Sequence, residues 1–300
     1  MTNSFNNRVF GCAIIKSINS NYNADFSGQP RKLPNGIVYA TDKALKYSIR
    51  NYWKRNMGEK VLYFKHLNQE MMPVDLVELY KIAFGSEVKN DDKKTIFNNL
   101  NSIIDVKFFG ATFAPKGTGI TNKNISIHGT CQISHGLNRF NENIIYTEQI
   151  LAPFVAPGDE AEAAKGNTTL GSQSKLEEGH YVHHFSLNPK NITTSISDDE
   201  VSKLKKAFRS GVTFYDSASK IGSENELLLW VQLKDNSKLV LPSFVELVTI
   251  GEDKTIDLSA IKTLLDKEQI KNEIEKIEVY YNKGITKVSN VPNGSEVYEI

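Results

Sequence analysis

This chain of 300 residues has the composition of a globular protein with little overall charge: 40% of its residues are apolar and its formal net charge is +1. That balance excludes a protein that coats nucleic acid with its whole surface, but it permits binding through one groove. The sequence has no apolar run of the roughly 20 residues that span a bilayer, and its polar start, MTNSFNNR, is unlike a secretory signal. We therefore expect a cytoplasmic protein that does not contact a membrane.

The first elements predict a strand, a polar loop and a basic helix. The run from Arg8 to Ile18 is apolar and β-branched, which is typical of a central strand. An Asn-rich loop, Asn19 to Arg31, follows it. The helix after Thr41 carries one apolar line of side chains and one cationic line. We expect the apolar line to pack on a sheet and the cationic line to face solvent or a partner. The apolar line is Leu45, Ile49, Tyr52 and Trp53, and the cationic line is Lys43, Lys46, Arg50 and Lys54.

Positive charge is concentrated in this helix and the residues just after it. Residues 41–65 hold seven cations against two anions, an excess of five in a chain that is nearly neutral. Thr41 is expected to cap the helix by accepting a backbone N–H, and the N–H groups of the first turn would suit a phosphate. The alternative is an ordinary solvated face, since long cations extend from many helices.

The remaining elements alternate between helix and strand around one weakly patterned stretch. We predict helices at Pro73–Gly85, from Asp91 or Asp92 through Leu100, at Ser197–Arg209 with a capping box to Glu200, and at Asp257–Lys267. We predict strands at Val61–Phe64, Ile103–Phe113, Ile125–Gly136, Tyr181–Leu187, Glu226–Leu233 and within Leu239–Ile250, followed by two near the C-terminus. Between these lies a segment, about 137–179, whose weak periodicity is typical of a functional insertion.

The order of the strong elements predicts the fold class. It is β-α-β-β-α-β, the order of the ferredoxin-like and RRM folds, so we expect an α+β protein with an RRM-like palm. In RRM domains one sheet face is an RNA platform, which favours RNA as a partner. We interpret residues 1–300 as a single elaborated RRM-like domain, with a helical insertion at about 61–102 and a thumb-like hairpin insertion at about 137–179.

No metal or cofactor is predicted. The loop from Asn19 to Asp25 has alternating oxygen side chains, but an EF-hand needs Gly at its sixth position and Glu at its twelfth, where this chain has Ala24 and Pro30. His183 and His184 point to opposite faces of a strand, so they cannot bind one metal together. The two cysteines, Cys12 and Cys131, are too few for a cysteine zinc site and are expected to be buried free thiols.

Five sequence blocks in order resemble a known family: NYNADFSGQPR, TDKALKYSIRNYW, DVKFFGATF, HGTCQISHG and SKIGSENELLLWV. They are similar to the Cas-seven backbone subunits of type I CRISPR effector (Cascade) complexes, of the RAMP superfamily, and most like the I-B branch. The resemblance implies a non-enzymatic protein whose copies polymerise along a CRISPR RNA (crRNA). It also implies antiviral defence as a ribonucleoprotein, in which the guide pairs with target DNA alongside other Cascade subunits and a recruited helicase-nuclease.

The same resemblance implies where RNA binds. It places contacts at Thr41, Lys46 and Arg50 of the basic helix and at Asn21, Asn23, Asp25 and Arg31 of the first loop. Lys43 is a further candidate RNA-binding residue on the basis of its charge, because a protein that forms a filament along RNA needs phosphate contacts that do not depend on the base sequence. Phe154 or Val155, in the apolar run ILAPFVAP, is the candidate wedge between bases, with core packing as its alternative. Replacing Lys46 and Arg50 by Ala is expected to remove RNA and leave the fold intact.

Two other functions stay open. Backbone subunits of type III complexes cleave target RNA with an acidic residue near the thumb, a role that Asp159 or Glu160 would take here. A stand-alone single-stranded RNA-binding module would bind as a monomer and would not polymerise.

Overall fold

A computed structural model of the chain describes residues 4–117, 119–151, 170–192 and 194–300, with only the backbone of residue 170. It is a mixed α+β protein with one large sheet and several helices. The strands are β1 Val9–Ser20, β2 Tyr39–Ala40, β3 Ala111–Phe113, β4 Ile125–Ile127, β5 Cys131–Ile133, β6 Gly136–Asn138, β7 Ile145–Leu151, β8 Leu170–Leu187, β9 Ser223–Leu233, β10 Thr249–Ile250, β11 Ile256–Asp257, β12 Ile274–Tyr281, β13 Val288–Ser289 and β14 Ser295–Tyr298. The helices are α1 Asp42–Arg55, α2 Leu76–Phe84, α3 Lys93–Asn101, α4 Ile104–Phe109, α5 Asp198–Ser210, α6 Ser259–Leu265 and α7 Glu268–Lys271.

The large sheet is built around β1. Within the described residues its strand order is β14-β12-β9-β1-β8-β6-β2, and β5 and β7 pair with other parts of β8. β1 is antiparallel to both neighbours, with Val9 opposite Leu187 of β8 and opposite Gln232 of β9. The predicted central strand is therefore present, and it extends two residues past Ile18.

Each face of the sheet is covered by its own hydrophobic cluster, because successive side chains of a strand point to opposite sides. Val9, Ala13 and Ile15 pack under α1 and α5, where Leu45, Trp53, Leu204 and Phe208 are fully buried. Phe10, Cys12 and Ile14 face the segment from Leu241 to Ile270, which contains α6 and α7. Both faces are occupied, so the open sheet platform on which RRM domains bind RNA does not exist in the described structure.

A third cluster lies beside the sheet and joins α2, α3 and α4 to β3 and β4. Its buried members run from Leu62 to Ile127, so it reaches past residue 102, the end predicted for the helical insertion. The boundaries of that insertion remain a prediction. Asp75 caps α2 by accepting the N–H groups of Val77 and Glu78, and Asp92 caps α3 by accepting the N–H of Thr95.

Several predicted strands are wrong. Ile103–Phe113 was predicted as one strand, but it is the buried helix α4 followed by the short strand β3. Gly110 separates the two with φ +76°, and a Cβ there would lie 2.3 Å from the carbonyl oxygen of Ile127. The predicted strand Val61–Phe64 is a bend.

Two further strand predictions are also corrected by the structure. Ile125–Gly136 is divided among β4, β5 and the start of β6, and Leu239–Ile250 contains a short 3₁₀ helix, Val245–Leu247, followed by β10. In both segments the chain turns after two or three residues of strand, so no long strand forms. Within the described part of the chain, no helix combines the length and the apolar character needed to cross a bilayer.

Candidate nucleic-acid interface

The loop after β1 is folded back on itself by its own side chains. Asp25 Oδ1 accepts hydrogen bonds from the Ser27 backbone N–H (2.8 Å), the Ser27 hydroxyl (2.7 Å) and the Gln29 N–H (3.0 Å). The bond from the Ser27 hydroxyl, together with these N–H groups, holds the pKa of Asp25 below its ordinary value. The Asp25 carboxylate, predicted to contact RNA, is thus engaged in shaping the loop.

Asn23 attaches this loop to the start of α1. Its Oδ1 accepts hydrogen bonds from the Thr41 N–H (2.9 Å) and from the Thr41 hydroxyl (3.0 Å). Thr41 does occupy the N-cap position, but its side chain accepts no N–H of the helix. The capping bond predicted for Thr41 is therefore wrong, and its hydroxyl donates instead to Asn23.

The positive end of α1 is filled by the protein's own groups. The Asp42 N–H donates to His135 Nδ1 (3.4 Å), and the Asp42 carboxylate lies in the first turn, where it complements the helix dipole. A phosphate at this helix start would have to displace them. The phosphate contact predicted for the first turn therefore stays a prediction, and these groups would compete with it.

Asn21 points into the protein. Its side chain is 2% exposed, and Nδ2 donates to the carbonyl oxygens of Gly28 (3.0 Å) and Ser174 (3.1 Å). A buried side chain with these bonds supports the loop from inside, and the RNA contact predicted for Asn21 stays a prediction. Arg31 is half-buried, and its Nε donates to the Ala24 carbonyl at 3.0 Å.

Lys43, Lys46 and Arg50 meet in one groove, which we call the α1 groove. Its volume is about 590 Å³. One wall is the N-terminal half of α1, and the other is the end of α4 with β3 and β4. The lining residues are Asp42, Lys43, Lys46, Arg50, Tyr63, Phe109, Gly110, Ala111, Thr112, Ser126, Ile127 and His128.

The three cations differ in how freely they can meet a ligand. Lys43 is 82% exposed, whereas Lys46 and Arg50 are 13% and 14% exposed. Lys46 Nζ lies 2.9 Å from Asp42 Oδ2, and burial of Asp42 is outweighed by the two lysines beside it, so its pKa is lowered. Lys43 is the cation best placed to reach a phosphate in solvent.

Arg50 is fixed from below by Asp105. Arg50 Nε donates to Asp105 Oδ2 at 2.8 Å, and Asp105 is fully buried. The Asp105 carboxylate also accepts the backbone N–H groups of Leu62 (2.8 Å) and Tyr63 (3.1 Å). The Asp42 and Asp105 carboxylates offset two of the three cations, so these five side chains have a net charge of about one.

Aromatic rings also line the groove, a feature that the distribution of charged residues in the sequence does not indicate. The Arg50 guanidinium lies 5.2 Å from the Phe109 ring centre and 5.5 Å from that of Tyr63, and Lys46 Nζ lies 5.6 Å from Phe109. These contacts are within cation–π range. They hold Lys46 and Arg50 in place before any ligand arrives.

A hairpin rises from the sheet next to the first loop. β7 pairs with the first part of β8, from Ile145 opposite Leu176 to Leu151 opposite Leu170. Ser174 joins it to the loop, because its Oγ accepts Gln29 Nε2 at 2.6 Å. The predicted wedges Phe154 and Val155, and the acidic Asp159 and Glu160, lie outside the described residues.

The histidines and cysteines form no shared centre. His183 contacts Tyr22 on one face of β8, and His184 contacts Phe10 and Phe244 on the other. In residues 4–117, 119–151, 170–192 and 194–300, no group of three His, Cys, Asp or Glu side chains could hold a metal ion. Cys12 and Cys131 are buried and free, and burial raises the pKa of each thiol to about 12, so both stay protonated.

Comparisons with known proteins show the family of the chain and its fold. The family model for CRISPR-associated protein Cas7 matches residues 7–280. The chain therefore belongs to the Cas7 family. A chain in a solved structure described as "CRISPR RNA-guided surveillance complex, pre-nicking" is similar over 98% of this chain and 96% of its own, with a TM-score of 0.59 and 11% identity, which shows a shared fold. No curated protein matches the sequence.

Proposed function

We propose that this protein is the crRNA-binding backbone subunit of a type I CRISPR effector complex of the I-B branch. Copies of the chain would assemble along the guide in the cytoplasm and hold it for pairing with target DNA. In this role the subunit is not itself an enzyme, and it works with other Cascade subunits and a recruited helicase-nuclease. Family membership and the fold shared with a surveillance-complex chain support the proposal. The observation that carries it is the α1 groove.

The sheet order supports an RRM-like palm. The run β9-β1-β8-β6, with α1 and α5 on one face, corresponds to the four strands and two helices of the ferredoxin-like order. Since both sheet faces are covered, we place RNA at the α1 groove and the adjoining first loop. The β7–β8 hairpin is the structural candidate for the thumb.

The groove is suited to a phosphate chain and has few means of reading bases. Lys46 and Arg50 are held by carboxylates and rings, so little side-chain freedom is lost on binding. Lys43 is free to swing onto a phosphate oxygen. Because cations on phosphates release counterions from RNA, affinity should fall steeply as salt rises.

We expect Lys43→Ala to weaken RNA binding without affecting the fold. The Lys43 side chain is 82% exposed, and its ion pair with Asp42, at 3.4 Å, contributes little to stability because the lysine is in solvent. The measurement is affinity for single-stranded RNA against salt, on protein freed of co-purified nucleic acid. Loss of one phosphate contact should reduce the log–log slope by about 0.7. Lys43→Glu should lower affinity further.

Lys267→Ala is the matched control, because Lys267 is an exposed lysine between α6 and α7, which cover the face of the sheet opposite to α1. An unchanged slope in Lys43→Ala, or an equal loss in the control, would count against the groove. Periodic cuts in a complementary RNA incubated with the assembled complex would instead support the type III ribonuclease. A particle whose length did not follow guide length would support the monomeric module.

A further inference from the structure

Phe26 is placed where a folded chain does not normally leave an aromatic ring. Among the described residues it is the most exposed large apolar side chain, at 105% of the reference value. A ring in that position packs against none of the three hydrophobic clusters. Packing in the hydrophobic core therefore does not explain why an aromatic side chain stands at this position.

The loop that presents Phe26 is rigid. Asp25, the preceding residue, accepts three hydrogen bonds from the following turn, and a bridge joins Ala24 to Pro30. Gly28 adopts φ +82°, and its carbonyl is held by Asn21 from below. The ring is therefore presented by a preformed support, which lowers the entropy lost when a ligand binds it.

A cation accompanies the ring. The Arg31 guanidinium lies 5.9 Å from the Phe26 ring centre, while Arg31 Nε is fixed to the Ala24 carbonyl. An exposed ring next to a fixed guanidinium matches a nucleotide, which has a flat base beside an anionic phosphate.

The surroundings favour a nucleobase over an apolar protein surface. Protein docking sites are contiguous apolar patches, whereas the neighbours of Phe26 along the loop are Asp25, Ser27 and Gln29. The same loop is bonded to α1 through Asn23 and to the hairpin through Ser174. It thus adjoins both the groove wall and the predicted thumb.

We propose that Phe26 stacks on a base of single-stranded RNA, with Arg31 facing the adjacent phosphate. This inference rests on the proposed function, and it adds a base-stacking site that the α1 groove does not supply. Stacking on an aromatic ring does not depend on base identity, so the site keeps the binding independent of sequence.

The test uses Phe26→Trp as a reporter. Both native tryptophans, Trp53 and Trp230, are fully buried, so the new indole is the exposed emitter. We expect its emission to be quenched by oligoadenylate, and not by an abasic phosphodiester chain of the same length. Ile285→Trp is the matched control, because Ile285 is 67% exposed in the turn after β12, two strands away from β1 in the sheet, and its indole should not respond.

Affinity supplies a second measurement. Phe26→Ala should weaken oligoadenylate binding roughly five- to a hundred-fold, while Phe26→Tyr should bind nearly as wild type, and neither should change the thermal midpoint. If Phe26→Ala binds as wild type and the reporter indole is not quenched, stacking is excluded although RNA binding by the groove stands. If the indole responds to added protein and not to RNA, Phe26 is a contact between copies, and the proposal is overturned. If wild-type protein binds no RNA, the proposed function itself fails.

Discussion

Arg50 serves the fold and the groove at once. Its guanidinium lines the groove, but its Nε is bonded to the buried carboxylate of Asp105. A carboxylate without exposure requires a partner, since an unpaired buried charge is strongly destabilising. Arg50 is therefore a poor choice for testing RNA binding alone, and the expectation that replacing it leaves the fold intact is at odds with this geometry.

We predict that Arg50→Ala lowers the free energy of unfolding by about 3 kcal/mol, the typical cost of removing one partner from a buried ion pair. Asp105 would keep its two backbone donors but lose its cation. Urea unfolding followed by circular dichroism measures the change. Lys43→Ala, on the same helix, should shift it by less than about 0.5 kcal/mol. Equal stability of Arg50→Ala and wild type would show that the pair contributes nothing.

The sequence predicted the cations of this site, and it could not predict what neutralises them. Lys43, Lys46 and Arg50 were recognised from their spacing on α1. Asp105 lies 55 residues beyond Arg50, in an apolar run that gives no sign of an ion pair. Phe26 was overlooked because an aromatic residue in a loop has no pattern that separates an exposed ring from a buried one.

At the scale of single elements, the sequence was most reliable where end signals and periodicity agreed. The capping box predicted at Ser197 and Glu200 is present with both of its hydrogen bonds, and it starts α5. α4 was missed because it has only six residues and is buried around most of its circumference, so its apolar residues show no periodicity that distinguishes it from a strand. Its residues Ile104, Val106 and Phe108 are all buried.

We predict that Ser197→Ala lowers the free energy of unfolding by about 1 kcal/mol, because one N–H of the first turn of α5 loses its acceptor. Glu200→Ala should cost more, since Glu200 also pairs with Lys107 of α4 at 2.6 Å. Denaturant midpoints measure both. Asp198→Ala, in the same turn but exposed, is the control, and an order with Ser197→Ala costing more than Glu200→Ala would contradict the role given to the Lys107 pair.

For the whole molecule, the decisive feature is a sheet buried on both faces. The segment that covers the second face, from Leu241 onward, follows β9 in the chain, and its pattern did not indicate which surface it would cover. The sequence therefore predicted the strands that became β1, β9 and the second part of β8, but it did not predict that both faces of the sheet would be covered. Because both faces of the sheet are covered, titratable side chains of β8 are shielded from solvent on each side: His183 is fully buried beside Tyr22, and His184 is half-buried beside Phe244. This burial links global stability to pH.

We predict that stability falls as pH decreases from about 6.5 toward 4. Burial lowers the pKa of His183 to about 4, against an ordinary value of 6.5, so in this range the unfolded state binds a proton that the folded state does not. The contribution of His183 is at most about 1.4 kcal/mol per pH unit, fully present above 6.5 and lost on acidification.

Urea unfolding between pH 5 and pH 7 would measure this slope. His183→Gln is the informative variant, since an amide can still donate to the Ser134 carbonyl, which lies 3.0 Å from His183 Nδ1, yet does not titrate. Its stability should depend less on pH than that of wild type. Parallel curves for the two proteins would mean that His183 is not the source.

β8 belongs to two structures at once: its C-terminal part pairs with β1 in the core, and its N-terminal part pairs with β7 in the hairpin. Added or deleted residues in the segment that connects β7 to β8 leave both ladders in register. Deleting a single residue between Leu176 and His180 would instead move every later side chain of β8 to the opposite face of the sheet, so His183 and His184 would each point to the face that the other now occupies. Length variation among relatives should therefore be frequent at the hairpin's far end and absent from its root.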